Sequence, residues 1–171
     1  KTKSAPGGIG NKDMTGNGRS ISGTVNSGPD FAKFSGTGLY VPGFMNYNWG
    51  NQFSASVMFR RSSSNGRYAG ILGNGYYHIG SWEIRMGREN SGQSYGGGIE
   101  TVNAPSAAKW QFWGATAPVG QWNHALMVYD GSGLIFYHNG KQYKNKVAMS
   151  GNLKVKSRSL EIGVLGGEWF N

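Results

Sequence analysis

The residues able to do chemistry are few in this chain and widely spaced. Its eight acids are Asp13, Asp30, Glu83, Glu89, Glu100, Asp130, Glu161 and Glu168. Hydrolysis of a glycosidic bond needs two carboxyl groups about 5 to 9.5 Å apart across the scissile bond. On a strand, acids two or four residues apart would project from one face. No E-x-D-x-x-E or E-x-D-x-E cluster is present. Glu83 and Glu89 share a segment, but Gly87 and Arg88 interrupt the strand register between them. Glu83 also stands two residues from Arg85, which reads as a same-face ion pair. His78, His124 and His138 sit on different segments without H-x-H or H-E-x-x-H spacing, so zinc ligation is not indicated. The absence of cysteine rules out disulfides, thiolate metal sites and a cysteine nucleophile. No G-x-S-x-G or phosphate-binding loop occurs. The pattern argues against an enzyme.

Binding chemistry is better represented. Lys154, Lys156 and Arg158 alternate with Val155 and Ser157, and on a strand they would share one face. Lys141, Lys144 and Lys146 come just before, in the loop after a hairpin. Together the six form a candidate positive patch for an anionic polymer such as a sulfated glycan. A net charge of +9 on 171 residues exceeds ordinary solubility needs. The plainer reading is that solvent-facing lysines keep sheets from pairing edge to edge, and both readings stay open. Aromatic rings are the second candidate, because sugars stack on the flat faces of Trp and Tyr while nearby amides take the hydroxyls. Tyr47, Asn48, Trp49 and Asn51 fall in a polar loop, as do Trp110 and Trp113. Trp49 and Trp110 are the candidate stacking residues, with closure of the core ends as their plainer role.

The elements that must position these side chains are strands. Glycine numbers 30 against 5 prolines, and aromatics reach 13 %. That balance suits short strands joined by tight turns. Phe53, Ala55, Val57 and Phe59 alternate with Ser54, Ser56 and Met58, the period-2 pattern of a half-buried strand. Trp82, Ile84 and Met86 alternate with Glu83 and Arg85 in the same way. Trp122 to Tyr129 and Leu134 to His138 follow, and Asn139-Gly140 after them predicts a type I′ hairpin turn. A short strand is predicted near Ile21 to Val25, and Leu160, Ile162 and Val164 mark the last. Gly96-Gly97-Gly98 and Gly166-Gly167 read as turns or bulges. No segment has a helical period, and no apolar run approaches the roughly 20 residues of a membrane helix. A chain of this length buries roughly 70 % of its unfolded surface, enough for a core without staples. Residues 1–171 read as one all-β domain, with 1–14 as loop.

Four stretches resemble the laminin G-like branch of the concanavalin A-like lectin/glucanase superfamily. They are FSGTGLYVPGF (34–44), FSASVMFRR (53–61), GQWNHALMVYDGSGLIFYHNGK (120–141) and LEIGVLGGEWFN (160–171). In the third, Trp122, His124, Asp130, Gly131, Tyr137, Asn139 and Gly140 match the family pattern. The resemblance implies a two-sheet antiparallel jelly-roll sandwich. It also implies that His124 is structural and bonds a loop carbonyl. Related domains often hold a rim calcium, for which Asp130 is the one matched acid; a calcium site needs six to eight oxygens. The family pattern carries a further strand after the position of Asn171 and a first strand that is indistinct here, so the resemblance implies that residues 1–10 complete the edge, that another chain does, or that the chain is a processed fragment.

Together these point to a secreted, extracellular, non-catalytic module that recognises glycans or sulfated polysaccharides. The alternative is a structural subunit of an extracellular matrix, filament or mineralised layer, acting through protein–protein contacts at an open strand edge. Nucleic-acid binding would explain the charge, but no RNP-like or OB-like pattern accompanies it.

Overall fold

The computed structural model describes residues 22–23, 26–27, 32–43, 49–62, 68–74, 82–87, 93–103, 112–154, 159–165 and 168–169. Among these there is no helix. The strands are β1 (Ser22–Gly23), β2 (Asn26–Ser27), β3 (Ala32–Lys33), β4 (Leu39–Val41), β5 (Phe53–Arg60), β6 (Gly70–Gly73), β7 (Trp82–Met86) and β8 (Ser94–Ile99). They continue with β9 (Phe112–Thr116), β10 (Trp122–Tyr129), β11 (Gly133–His138), β12 (Lys141–Gln142), β13 (Val147–Ala148), β14 (Leu160–Ile162), β15 (Val164–Leu165) and β16 (Glu168–Trp169).

Two antiparallel sheets carry the architecture. One has seven strands in the order β1-β4-β14-β6-β7-β8-β9. The other has five, β12-β11-β10-β5 with β13 also on β11. Small two-stranded ribbons, β2–β3 and β15–β16, complete the set. The alternation read along β5 becomes a core-facing row of Phe53, Ala55, Val57 and Phe59, and β10 supplies Ala125, Met127 and Tyr129 beside it. The seven-stranded sheet answers with Trp82, Ile84, Met86, Tyr95, Ile99 and Phe112.

Ring pairs with one ring from each sheet lock the layers together. Phe53 meets Trp82 at 4.9 Å, Phe59 meets Tyr95 edge-on at 5.0 Å, and Phe112 stacks on Phe136 at 5.7 Å. Such pairs add about 0.5–1.5 kcal/mol each beyond the area they bury. The hairpin turn is as expected: Asn139 and Gly140 have φ of 50° and 78°, the double positive φ that type I′ requires.

Three expectations are corrected. Gly96-Gly97-Gly98 lies inside β8, the neighbour of β7, and not in a turn, although the register shifts between Tyr95 and Gly96 where β8 meets β9. β7 is buried on both faces instead of one, because Arg85 lies under the Tyr68 ring at 4.8 Å and Glu83 is enclosed beside it. Leu160 to Val164 is two strands broken at Gly163, and a further strand, β16, folds back on β15. The short strand expected near Ile21 to Val25 is the two-residue β1, held by β4. The expected loop 1–14, the edge-completing segment 1–10 and the Gly166-Gly167 turn lie outside the described residues.

Candidate functional site

The two sheet faces turned away from the core differ sharply. On the seven-stranded sheet, register pairs Tyr40 with Glu161, Glu161 with Gly73, Gly73 with Glu83 and Glu83 with Gly98. Residues paired in this way share a face, so two carboxylates flank a bare glycine about two strand spacings, or roughly 9.5 Å, apart. Linear spacing hides this pair, since 78 positions separate its members in the chain and only the register of β6 brings them together. The row is closed: Glu83 and Glu161 are 5 % and 7 % exposed. Arg85, fully buried, places its guanidinium 3.7 Å from the Glu83 carboxylate, as the two-residue spacing predicted. Burial, then the Glu161 charge, raises the Tyr40 phenol above its usual range.

The outer face of the five-stranded sheet is open. A strand normally shows polar residues to water on that side, but β10 and β11 present Trp122, Leu126, Val128, Ile135 and Tyr137, and β5 adds Met58. Trp122 is 50 % exposed and Met58 65 %. Arg60, register-paired with Trp122, sets its guanidinium 5.7 Å from the indole ring centre. The His124 ring bonds the Ser56 hydroxyl at 2.8 Å on the same face, not the loop carbonyl that the family resemblance implied. Sequence reading passed over Trp122 because it belongs to a family word. The parity of its strand was the available signal: Ala125, Met127 and Tyr129 point inward, so an even-numbered position points out.

The described members of the proposed basic patch, Lys141, Lys144, Lys146 and Lys154, are drawn to different partners. Lys141 and Lys144 lie at the hairpin end of β11, beside the strand end that carries His138. Lys146 precedes β13, which pairs with the opposite end of β11 at Gly133 and Leu134, and its side chain reaches toward that end. There Lys146 Nζ donates to Asp130 Oδ2 at 2.7 Å and to Ser132 Oγ at 2.6 Å. Lys154, next to an isolated bridge instead of within a strand, donates to Glu100 at 2.8 Å. Lys144 folds over the Tyr143 ring at 5.2 Å. Lys156 and Arg158 lie outside the described residues.

Asp130 is also fully engaged. Its Oδ1 accepts from Ser132 N, Ser132 Oγ and Gly133 N, all at 3.0 Å. The Lys146 bond and then these turn bonds hold its carboxyl far below the usual range. A calcium ion at Asp130 would have to displace Lys146. Among the described residues no group of three acids, histidines or cysteines is placed to hold a metal.

Trp49 is half-buried, with its ring edge-on to Phe53 at 6.2 Å, so the core-end role describes its placement. Trp113 lies in β9 and not in a loop. Trp110 and His78 lie outside the described residues. His138 points inward, where its Nδ1 meets the Tyr95 hydroxyl at 2.6 Å. His124 and His138 therefore serve opposite faces of one sheet and cannot share an ion.

Two stacked antiparallel sheets with ring pairs between them define a β-sandwich. Residues 34–171 match the family model of the concanavalin A-like lectin/glucanases superfamily, and the chain belongs to that superfamily. Among solved structures it is similar to domain 4 of AbnA, a GH43 extracellular arabinanase from Geobacillus stearothermophilus, in complex with arabinotriose. The identity is 20 % and the TM-score 0.55, over 93 % of this chain and 79 % of that one. It is also similar to a tryptophan-to-alanine mutant of HCR/D, at 13 % identity and a TM-score of 0.61, over 93 % of this chain and 42 % of that one. No curated protein matches the sequence. At these identities the solved structures show a shared fold.

Proposed function

We propose that this domain is a non-catalytic glycan-binding module of a secreted protein, and that it takes its ligand on the outer face of the five-stranded sheet around Trp122. The observation that carries the reading is the half-exposed Trp122 indole with Arg60 beside it, on a face that also carries Leu126, Val128, Ile135 and Tyr137. An exposed indole offers a flat stacking surface to the C–H side of a sugar ring. The guanidinium supplies a planar fork of donors for a carboxylate or sulfate on the same ring. Lys141 and Lys144, at the adjoining end of the sheet, extend the positive potential, which favours acidic over neutral glycans. A sandwich of this fold crystallised with arabinotriose supports the ligand class. The non-catalytic part of the reading draws support from the carboxylate row, whose two acids are buried.

The test is a glycan array holding neutral and sulfated glycans, probed with the chain in calcium and again in chelator. Acidic glycans should bind in both conditions. Trp122→Ala should weaken the best ligand by about tenfold, equal to about 1.4 kcal/mol. An array that stays blank, or binding indifferent to Trp122→Ala, sinks the reading.

A further inference from the structure

The outer face of the five-stranded sheet is laid out by register, because residues paired across strands share a face. Trp122 stands opposite Arg60, and His124 opposite Met58. Leu126 lies between Ser56 and Tyr137, and Tyr137 is paired in turn with Gln142. A diagonal across these rows takes a polar or aromatic side chain from each successive strand. It runs from Arg60 on β5, through Trp122 and His124 on β10, to Tyr137 on β11 and Gln142 on β12. Arg60, Trp122 and Gln142 are exposed, and His124 and Tyr137 are partly so.

The spacing along this line selects the length of the ligand. Four positions of β10 and one strand spacing separate Trp122 from Tyr137, about 14 Å in all. One sugar ring cannot touch both aromatic rings, whereas a chain stacked on Trp122 reaches Tyr137 with a later residue. The groups between the two rings suit sugar hydroxyls. The His124 ring and the Ser56 hydroxyl are bonded at 2.8 Å, and an exposed hydroxyl has capacity for a further bond. Cations flank the line, with Arg60 at its β5 end and exposed Lys141 next to Gln142 on β12. A polymer with acidic groups at intervals along its length matches that arrangement, and a lone terminal sugar does not.

We propose that Tyr137 is a second stacking platform, and that the site takes the interior of an acidic oligosaccharide laid diagonally from Arg60 toward Gln142. The proposal rests on the glycan reading around Trp122 and extends it to the length and course of the ligand. Two platforms on one sheet act as linked subsites: once Trp122 holds the chain, contact with Tyr137 is intramolecular. Affinity therefore climbs with chain length until both rings are covered.

The test titrates the whole chain with two probes, a heparin disaccharide and a heparin octasaccharide, followed by nuclear magnetic resonance. The octasaccharide should bind at least about tenfold more tightly than the disaccharide. Tyr137→Leu keeps apolar bulk on the sheet but removes the flat ring, and it should cut that advantage about tenfold. Tyr137→Phe keeps the ring and should keep the advantage. Trp122→Ala should weaken both lengths. An octasaccharide advantage that survives Tyr137→Leu overturns the proposal and leaves the glycan reading standing. An equal loss in Tyr137→Phe also overturns it, because the ring would then not be the contact. If neither probe binds, or if Trp122→Ala changes nothing, the glycan reading falls and the extension falls with it.

Discussion

The Tyr95 hydroxyl, carried by the seven-stranded sheet, meets Nδ1 of His138, carried by the five-stranded sheet, at 2.6 Å. Asn139 Nδ2 donates to His138 Nε2 at 3.3 Å, which makes Nε2 the acceptor and leaves the Nδ1 hydrogen for Tyr95. The Tyr95 hydroxyl in turn donates to the His124 carbonyl at 3.5 Å. Protonation at Nε2 would set an N–H against the Asn139 amide. Burial lowers the His138 pKa and raises that of Tyr95, where the Tyr143 phenol adds to the effect.

A folded-state pKa below the unfolded value means that the unfolded chain binds the proton first. The contribution of neutral His138 is therefore complete above about pH 6.5, and it is lost as pH falls through the lower folded value. Thermal unfolding should show a Tm that declines below about pH 6.5. His138→Gln, which keeps a hydrogen-bonding group without titrating, should flatten that decline. An equal decline in the variant would assign it to another group.

How much of this was legible follows from the range of each signal. Period-2 alternation is local, so β5, β7 and β10 were readable nearly to their ends, and Asn139-Gly140 announced its turn. The ion pair of Glu83 and Arg85 was readable because both sit on one strand. The Glu161–Gly73–Glu83 row was not, since register between strands distant in sequence leaves no trace in linear spacing. The partners of the described basic residues were hidden for a related reason. Lys141 and Lys146 are close in sequence, but the chain between them runs alongside β11, and the Lys146 side chain turns toward the end that carries Asp130. Lys146 and Lys154 then meet acids that their own neighbourhoods in sequence do not contain.

Asp130 gives the second prediction. Its carboxylate is held by Lys146 and the Ser132–Gly133 turn, with a folded pKa far below the usual range. The sign here is that of a depressed acid: its contribution is present above about pH 3.9 and is lost as pH falls through the folded value. Asp130→Ala should lower Tm at neutral pH, and the gap to the parent chain should shrink in strong acid. Calcium and chelator should give the same Tm for the parent chain. A rise with calcium would show that the ion displaces Lys146.

The buried pair of Glu83 and Arg85 gives the third. Removing one member of a buried ion pair typically costs about 3–5 kcal/mol, whereas replacing both by neutral groups of similar size costs far less. Arg85→Met alone should destabilise the chain strongly in urea. Glu83→Gln/Arg85→Met should recover much of that loss, giving a coupling of at least about 1 kcal/mol in the double-mutant cycle. Additive losses would mean that the two side chains stabilise the sheet independently, and that the 3.7 Å contact contributes little.

Gly163 carries the last prediction, because two separate constraints meet there. It ends β14 and starts β15 with a φ of 73°, a left-handed conformation that a side chain strains. Its backbone is fixed by a hydrogen bond to Ile71 O at 3.0 Å, so it cannot relax by rotating. A Cβ placed on it would also fall into the Phe34 ring. Gly163→Ala should therefore cost about 2–3 kcal/mol, lowering Tm by roughly 4–10 °C for a chain of this size. Adding Phe34→Ala removes the steric clash and leaves the dihedral strain. If strain and clash both act, Gly163→Ala should cost less in the Phe34→Ala background than in the parent chain, while still costing something. Equal costs in the two backgrounds would assign the whole effect to the dihedral.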